Sequence, residues 1–129
     1  MHIEHLAIYC ADLEKMKTFY CTYFEGIAND QYHNPKKQFR SYFISFANGP
    51  RIELMHKPQL AERVNNLSEE YYGLIHFAVS LGSKEKVDAL TNRLRQDGYQ
   101  IIGEPRTTGD GYYESVVADP EHNRIEITE

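Results

Sequence analysis

Two imidazoles and two carboxylates in this chain stand at positions whose surroundings repeat. Residues 51–54 read Arg-Ile-Glu-Leu and residues 124–127 read Arg-Ile-Glu-Ile, so Glu53 and Glu126 share a prefix inside apolar, strand-like stretches. A buried carboxylate without a compensating partner is costly, and placing one twice points to a shared purpose. His5 and His76 supply the matching nitrogens. Neutral imidazoles and carboxylates together suit a divalent ion such as Ni²⁺, Co²⁺, Zn²⁺ or Fe²⁺. An N/O set with room for water also leaves coordination positions for a substrate.

These four residues belong to a duplication. The stretch from His5, HLAIYCADLEKM, aligns without a gap on the stretch from His76, HFAVSLGSKEKV. His5 meets His76, Ala7 meets Ala78, Glu14 meets Glu85 and Lys15 meets Lys86. The histidines lie 71 residues apart and the two Arg-Ile-Glu triplets 73 apart, so two inserted residues reconcile both matches. Repeated spacing of this kind marks a repeated structural unit.

The elements that must position the four side chains follow from periodicity. The first copy predicts a strand at about 2–9 and a helix at about 13–24, then strands at about 27–33, 39–47 and 50–56. Asp12 suits the helix N-cap, and Leu13, Met16, Phe19, Tyr20 and Tyr23 form an apolar stripe at helical spacing. The second copy predicts a strand at about 73–80 and a helix at about 84–97 capped by Ser83, with Val87, Leu90 and Leu94 on its apolar side. Strands at about 99–105, 111–118 and 123–128 complete it. The expected architecture is α+β, a single domain 1–129 of two βαβββ modules, 1–57 and 72–129. A polar linker, 58–71, with a short helical turn, joins them.

Strand alternation assigns the faces. Leu6, Ile8 and Cys10 share one side of the opening strand and His5, Ala7 and Tyr9 the other. Phe77 and Val79 oppose His76, Ala78 and Ser80 in the second copy. Ile52 and Leu54 likewise oppose Glu53, and Ile125 and Ile127 oppose Glu126. The apolar sides cover the helices, leaving each His and Glu on the far face. If the first and last strands of a copy are neighbours, each copy presents one His–Glu pair. A single strand histidine is ordinarily a hydrogen-bonded rim residue and a single strand glutamate a solvated one; the matching registers favour the metal. His2, His33, His56 and His122 have no partner at the repeat offset and are expected at the surface.

Bulk properties exclude several classes. The chain has 129 residues, a formal net charge of −5 and no basic run longer than Lys36-Lys37, which argues against general affinity for nucleic acid or anionic membranes. Two cysteines, Cys10 and Cys21, are too few for a disulfide scaffold and read as reduced thiols. No basic leader followed by an apolar run opens the sequence, and no stretch has the length of a membrane span. A cytoplasmic domain is expected.

A doubled βαβββ chain with His5, Glu53, His76 and Glu126 in these places resembles the vicinal-oxygen-chelate superfamily over essentially its whole length. His–Glu–His–Glu is the pattern of glyoxalase I (lactoylglutathione lyase) in that group, unlike the His–His–Glu pattern of extradiol dioxygenases. The resemblance implies the glyoxalase/bleomycin-resistance/dioxygenase fold and one divalent metal ion per site, with Ni²⁺ or Co²⁺ favoured over Zn²⁺ or Fe²⁺. It implies a lyase or isomerase acting on a hemithioacetal of methylglyoxal or a similar substrate with neighbouring oxygens. Glu126 would be the base that moves a carbon-bound proton, with His5, Glu53 and His76 as constant ligands and Glu53 the second catalytic carboxylate. A small-molecule substrate, such as a thiol adduct, and a homodimer are the expected partners.

The chain departs from the glutathione enzymes in its substrate-binding positions. Tyr9 stands where short enzymes of this type tend to have Arg, and Lys57 where they tend to have Asn. Arg106 is the nearest cation to a Lys usual in the loop before the penultimate strand. Tyr9, Lys57, Arg106 and Tyr113 are the candidate pocket residues. The alternative functions on the same scaffold are a small-molecule binding or sequestering protein, an epimerase and a dioxygenase.

Overall fold

The computed structural model describes residues 1–61 and 66–129. The chain divides into two compact units, Met1–Arg63 and Val64–Glu129. Each is one copy of the repeat.

In the first unit β1 (His5–Tyr9) leads into α1 (Leu13–Tyr23), followed by β2 (Ile27–Ala28), β3 (Tyr32–Asn34), β4 (Phe39–Ser45) and β5 (Arg51–His56). The sheet order is β1-β5-β4-β2, with β3 also paired to β4. The expected strand at 27–33 is thus two short pieces on one neighbour. Asp12 caps α1 by accepting from the Lys15 amide at 3.0 Å. Leu13, Met16, Phe19 and Tyr20 bury the inner face of the helix, and Tyr42, Ile44, Ile52 and Leu54 are buried in the sheet beneath it. Helix and sheet are further tied by the Tyr42 hydroxyl, which donates to Glu14 at 2.8 Å. Lys17 reaches the same carboxylate at 2.5 Å, and these two contacts, Lys17 foremost, hold Glu14 below the ordinary carboxylate range.

The second unit repeats the plan. It runs β6 (His76–Ser80), α2 (Lys84–Gln96), β7 (Ile101–Thr107), β8 (Tyr113–Ala118) and β9 (Arg124–Thr128), in the order β6-β9-β8-β7. Ser83 caps α2 through the Lys86 amide at 3.3 Å. β7 is an edge strand with two register shifts against β8, which suits Pro105, a residue with no amide to give a ladder. Buried Asp119 organises the turn before β9 by accepting from the amides of Glu121 and Asn123 at 2.9 and 2.8 Å.

The apolar stripe of α2 differs from its expected form. Val87 and Leu94 are fully buried, but the third buried residue is Thr91, and Leu90 is half-buried. Thr91 is accommodated because its hydroxyl donates to the Val87 carbonyl at 2.7 Å and also meets the Ser115 hydroxyl on β8 at 2.7 Å. A hydroxyl does not register in an apolar periodicity, which is why the stripe was drawn through Leu90. Of the expected linker, Glu62–Asn65 lie outside the described residues, as does any helical turn there; among the described residues of 58–71 there is a turn at 67–68 and no helix. His56 is half-buried rather than at the surface, with Nδ1 2.8 Å from the Cys10 carbonyl oxygen. Cys10 is buried, and neither Cys10 nor Cys21 is in a disulfide.

The Thr91–Ser115 contact makes a stability prediction. Thr91→Val leaves the Ser115 hydroxyl buried without its partner and should cost about 1–3 kcal/mol. Adding Ser115→Ala should recover part of that loss, as measured by urea unfolding of the two single variants and the double variant.

Candidate metal and substrate site

The first and last strands of each unit are neighbours and run parallel. His5 lies opposite Arg51 and Ala7 opposite Glu53; His76 lies opposite Arg124 and Ala78 opposite Glu126. Each glutamate therefore sits diagonally from its histidine on one face of the sheet, and the small alanine between them leaves the space open. The other face carries the buried Ile52 and Leu54, or Ile125 and Ile127, under the helix.

The two pairs have closely similar geometry. His5 Nε2 is 3.7 Å from Glu53 Oε2, and His76 Nε2 is 3.4 Å from Glu126 Oε2. Both separations exceed an N–H···O hydrogen bond, so neither pair consumes its own lone pairs. Two donors bound to one ion at about 2.1 Å each stand roughly 3.0–3.4 Å apart between octahedral and tetrahedral angles. The second pair already fits that edge and the first needs a small inward rotation. Side-chain exposure is 38% and 40% for the histidines against 17% and 19% for the glutamates, so the nitrogens are reachable while the carboxylates are largely shielded. Among the described residues no three His, Cys, Asp or Glu side chains gather as a cation site; the donors are present as pairs.

The surroundings of the two pairs differ. Glu4 accepts from His5 Nδ1 at 2.5 Å and also holds the Arg51 guanidinium. The His5 hydrogen bond foremost, opposed by desolvation and aided by Arg51, keeps the Glu4 carboxyl below its ordinary value. Arg51 lies 4.0 Å over the Phe43 ring, whose edge-on partner is His5 at 5.5 Å. In the second unit Arg124 instead donates to the carbonyls of Leu67 at 3.0 Å and Glu69 at 2.7 Å, fastening that segment beside β9. The two arginines of the repeat thus have different tasks.

The candidate pocket residues separate. Tyr9 shares the face of His5 and lies under the Lys57 ammonium, 5.3 Å from its ring centre. Arg106 reaches Glu114 at 3.5 Å. Tyr113 departs from expectation: its hydroxyl donates to Asp88 of α2 at 2.8 Å and Lys84 lies over its ring. It belongs to the helix side of the sheet, because Tyr113 and the helix-bound Ser115 alternate with Glu114.

Glu114 was missed in the sequence. It is 8% exposed, and alternation through Val116, which lies opposite Glu126, sets it on the same face as Glu126. Burial foremost, then the neighbouring Glu126 charge, pushes its carboxyl upward, while Arg106 acts in the opposite sense. The signal was available in the strand Tyr-Glu-Ser-Val-Val, but the first copy has Ser41 at the matching position, so no repeat flagged it. Alongside, Ile102, Gly103, Glu104, Arg106 and Val116 line an open cavity of ≈ 400 Å³.

The profile of the Glyoxalase/Bleomycin resistance protein/Dioxygenase superfamily matches residues 2–127. The chain belongs to this superfamily. Members of it with solved structures share the fold at low identity. A glyoxalase family protein from Enterococcus faecalis is 22% identical with a TM-score of 0.78, covering 99% of this chain and 97% of that one. Glyoxalase I from Zea mays is 18% identical with a TM-score of 0.80; 98% of this chain matches 44% of that longer protein, so this chain spans less than half its length. The uncharacterized protein YqjT of Bacillus subtilis (strain 168) is 26% identical over 97% of this chain and 96% of its own. No helix among the described residues is long and apolar enough to cross a membrane.

A carboxyl raised by burial favours its protonated form in the folded state. Its ionisation therefore opposes folding at neutral pH, and that opposition vanishes as pH falls below the unfolded-state value of about 4.3. Glu114→Gln should raise the thermal midpoint of metal-free protein at pH 7, with the gain shrinking towards zero on acidification; thermal melts across that range measure it.

Proposed function

We propose that this superfamily member is a metal-dependent lyase or isomerase of the glyoxalase I type. The observation that supports it is the repetition of one His–Glu pair, in one register, on the open face of both sheets. His5, Glu53, His76 and Glu126 would be the ligands. Two pairs, from one chain or from two chains of a homodimer, complete the set. The donor chemistry is intermediate in softness and suits Ni²⁺ or Co²⁺, with Zn²⁺ and Fe²⁺ as alternatives. When bound, such an ion would supply Lewis acidity that stabilises negative charge developing on neighbouring substrate oxygens.

The protein's own groups do the rest. Glu126 removes the proton from the carbon bearing the hydroxyl of a hemithioacetal and returns it to the adjacent carbonyl carbon, while the hydroxyl proton passes to the former carbonyl oxygen, which leaves a thioester with a hydroxyl on the neighbouring carbon. Its carboxylate is shielded but not fully buried. Glu53 stands as the second carboxylate. The cavity beside Val116 offers apolar walls with the Arg106 cation and the Glu104 carboxylate at its lining, and Tyr9 with Lys57 offers a ring and a cation in the first unit. These groups suit an adduct of a small anionic thiol.

Two experiments check this reading. Metal-stripped protein given Ni²⁺ should form thioester from methylglyoxal and at least one member of a panel of small thiols, followed by ultraviolet absorbance. No turnover across the panel with the metal shown to be bound would reject glyoxalase I activity. Glu126→Gln should lower kcat about 10²–10⁴-fold, the usual contribution of a general base, while equilibrium binding of a substrate analogue persists.

A further inference from the structure

The first His–Glu pair has a support that the second lacks among the described residues. Glu4, immediately before β1, accepts from His5 Nδ1 at 2.5 Å. A carboxylate has no proton to give at neutral pH, so in neutral His5 the proton of that contact belongs to Nδ1. Glu4 is itself fixed twice by Arg51: the guanidinium binds its carboxylate, and the Arg51 amide donates to its carbonyl at 3.1 Å. The guanidinium rests on the Phe43 ring at 4.0 Å, and Phe43 meets the His5 ring edge-on at 89°. The contacts close a circuit from His5 through Glu4, Arg51 and Phe43 back to His5. An exposed ion pair alone contributes little, but here a carboxylate on one nitrogen and a phenyl ring across the imidazole plane both limit rotation of the ring.

Among the described residues no equivalent circuit is found at His76. Ile75 stands where the first copy has Glu4. Val116 lies opposite Glu126 as Phe43 lies opposite Glu53, and Arg124 is engaged by the carbonyls of Leu67 and Glu69.

We propose that Glu4 is a positioning residue whose carboxylate fixes His5 in the tautomer protonated at Nδ1, so that Nε2 carries the lone pair facing the space shared with Glu53. The role of that lone pair as a metal donor rests on the function proposed above; the tautomer does not. Carboxylates placed behind ligating histidines orient the ring and raise its basicity, and their loss commonly weakens metal binding 10–100-fold. In the first unit the histidine's tautomer and ring orientation are therefore set before the ion arrives.

The test uses full-length, metal-free protein with ¹⁵N-labelled histidine, at a pH well above the ordinary imidazole pKa of about 6.5. Two-bond nitrogen–proton correlations report the tautomer of each ring, with His5 assigned by its absence in His5→Ala. His5 should be protonated at Nδ1 in the wild type and shift towards the Nε2-protonated form in Glu4→Ala. Glu4→Gln, which keeps an acceptor oxygen at the same reach, should restore the wild-type tautomer. A wild-type His5 protonated at Nε2, a Glu4→Ala spectrum unchanged at His5, or failure of the Gln rescue would overturn the proposal. Calorimetric titration with Ni²⁺ adds a separate readout: Glu4→Ala should bind 10–100-fold more weakly, and equal affinity would also overturn it. If the wild type binds no Ni²⁺, the proposed metal function fails by itself and the tautomer alone decides the role of Glu4.

Discussion

The arrangement depends on one constraint, the parallel pairing of the first strand of each unit with its last. An antiparallel neighbour could come from a short hairpin, but a parallel one requires the chain to travel away and return. Here it leaves through the helix and returns through the meander, and the helix covers the apolar face on the way. Register then does the chemical work. Placing Ala7 against Glu53 and Ala78 against Glu126 sets each carboxylate diagonal to a histidine with a methyl group between them. A slip of one residue would turn the glutamates into the helix-covered core, where the hydrophobic contacts of Ile52 and Leu54, or Ile125 and Ile127, would be lost together. The core thus enforces the position of the polar pair.

That coupling explains why so much could be read from the sequence. The strand-helix alternation, the capping residues Asp12 and Ser83, the duplication and the facing of His5, Glu53, His76 and Glu126 all follow from short-range periodicity, which the chain displays twice. Other side chains escaped. Thr91 hides in an apolar stripe because its hydroxyl is satisfied across the helix–sheet boundary by Ser115, a contact between residues 24 apart. Glu114 hides because the first copy offers Ser41 in its place. Tyr113 was assigned to the pocket by residue type, whereas its phenol is engaged by Asp88 on α2. For Thr91 and Tyr113 a partner distant in sequence, not local pattern, decides the side chain's role.

The two copies have diverged around an unchanged centre. Arg51 and Arg124 hold the same register opposite the two histidines, yet one is joined to Glu4 and Phe43 and the other to the backbone of residues 67–69. The second unit has a second shielded carboxylate and a lined cavity beside its pair. A duplication that keeps the donors and varies their supports lets one half be held firm while the other accommodates a ligand. Stability is drawn from the opposite face of each sheet, so the open face can diverge at little cost to folding.

X-ray absorption of the nickel-loaded protein tests the central claim most directly, because it counts the imidazoles on the ion. The account predicts one ion carrying two imidazoles, with oxygen donors completing the shell, so that both His–Glu pairs serve a single centre. A single imidazole per nickel, with each pair holding its own ion, or a shell of oxygens alone would contradict it.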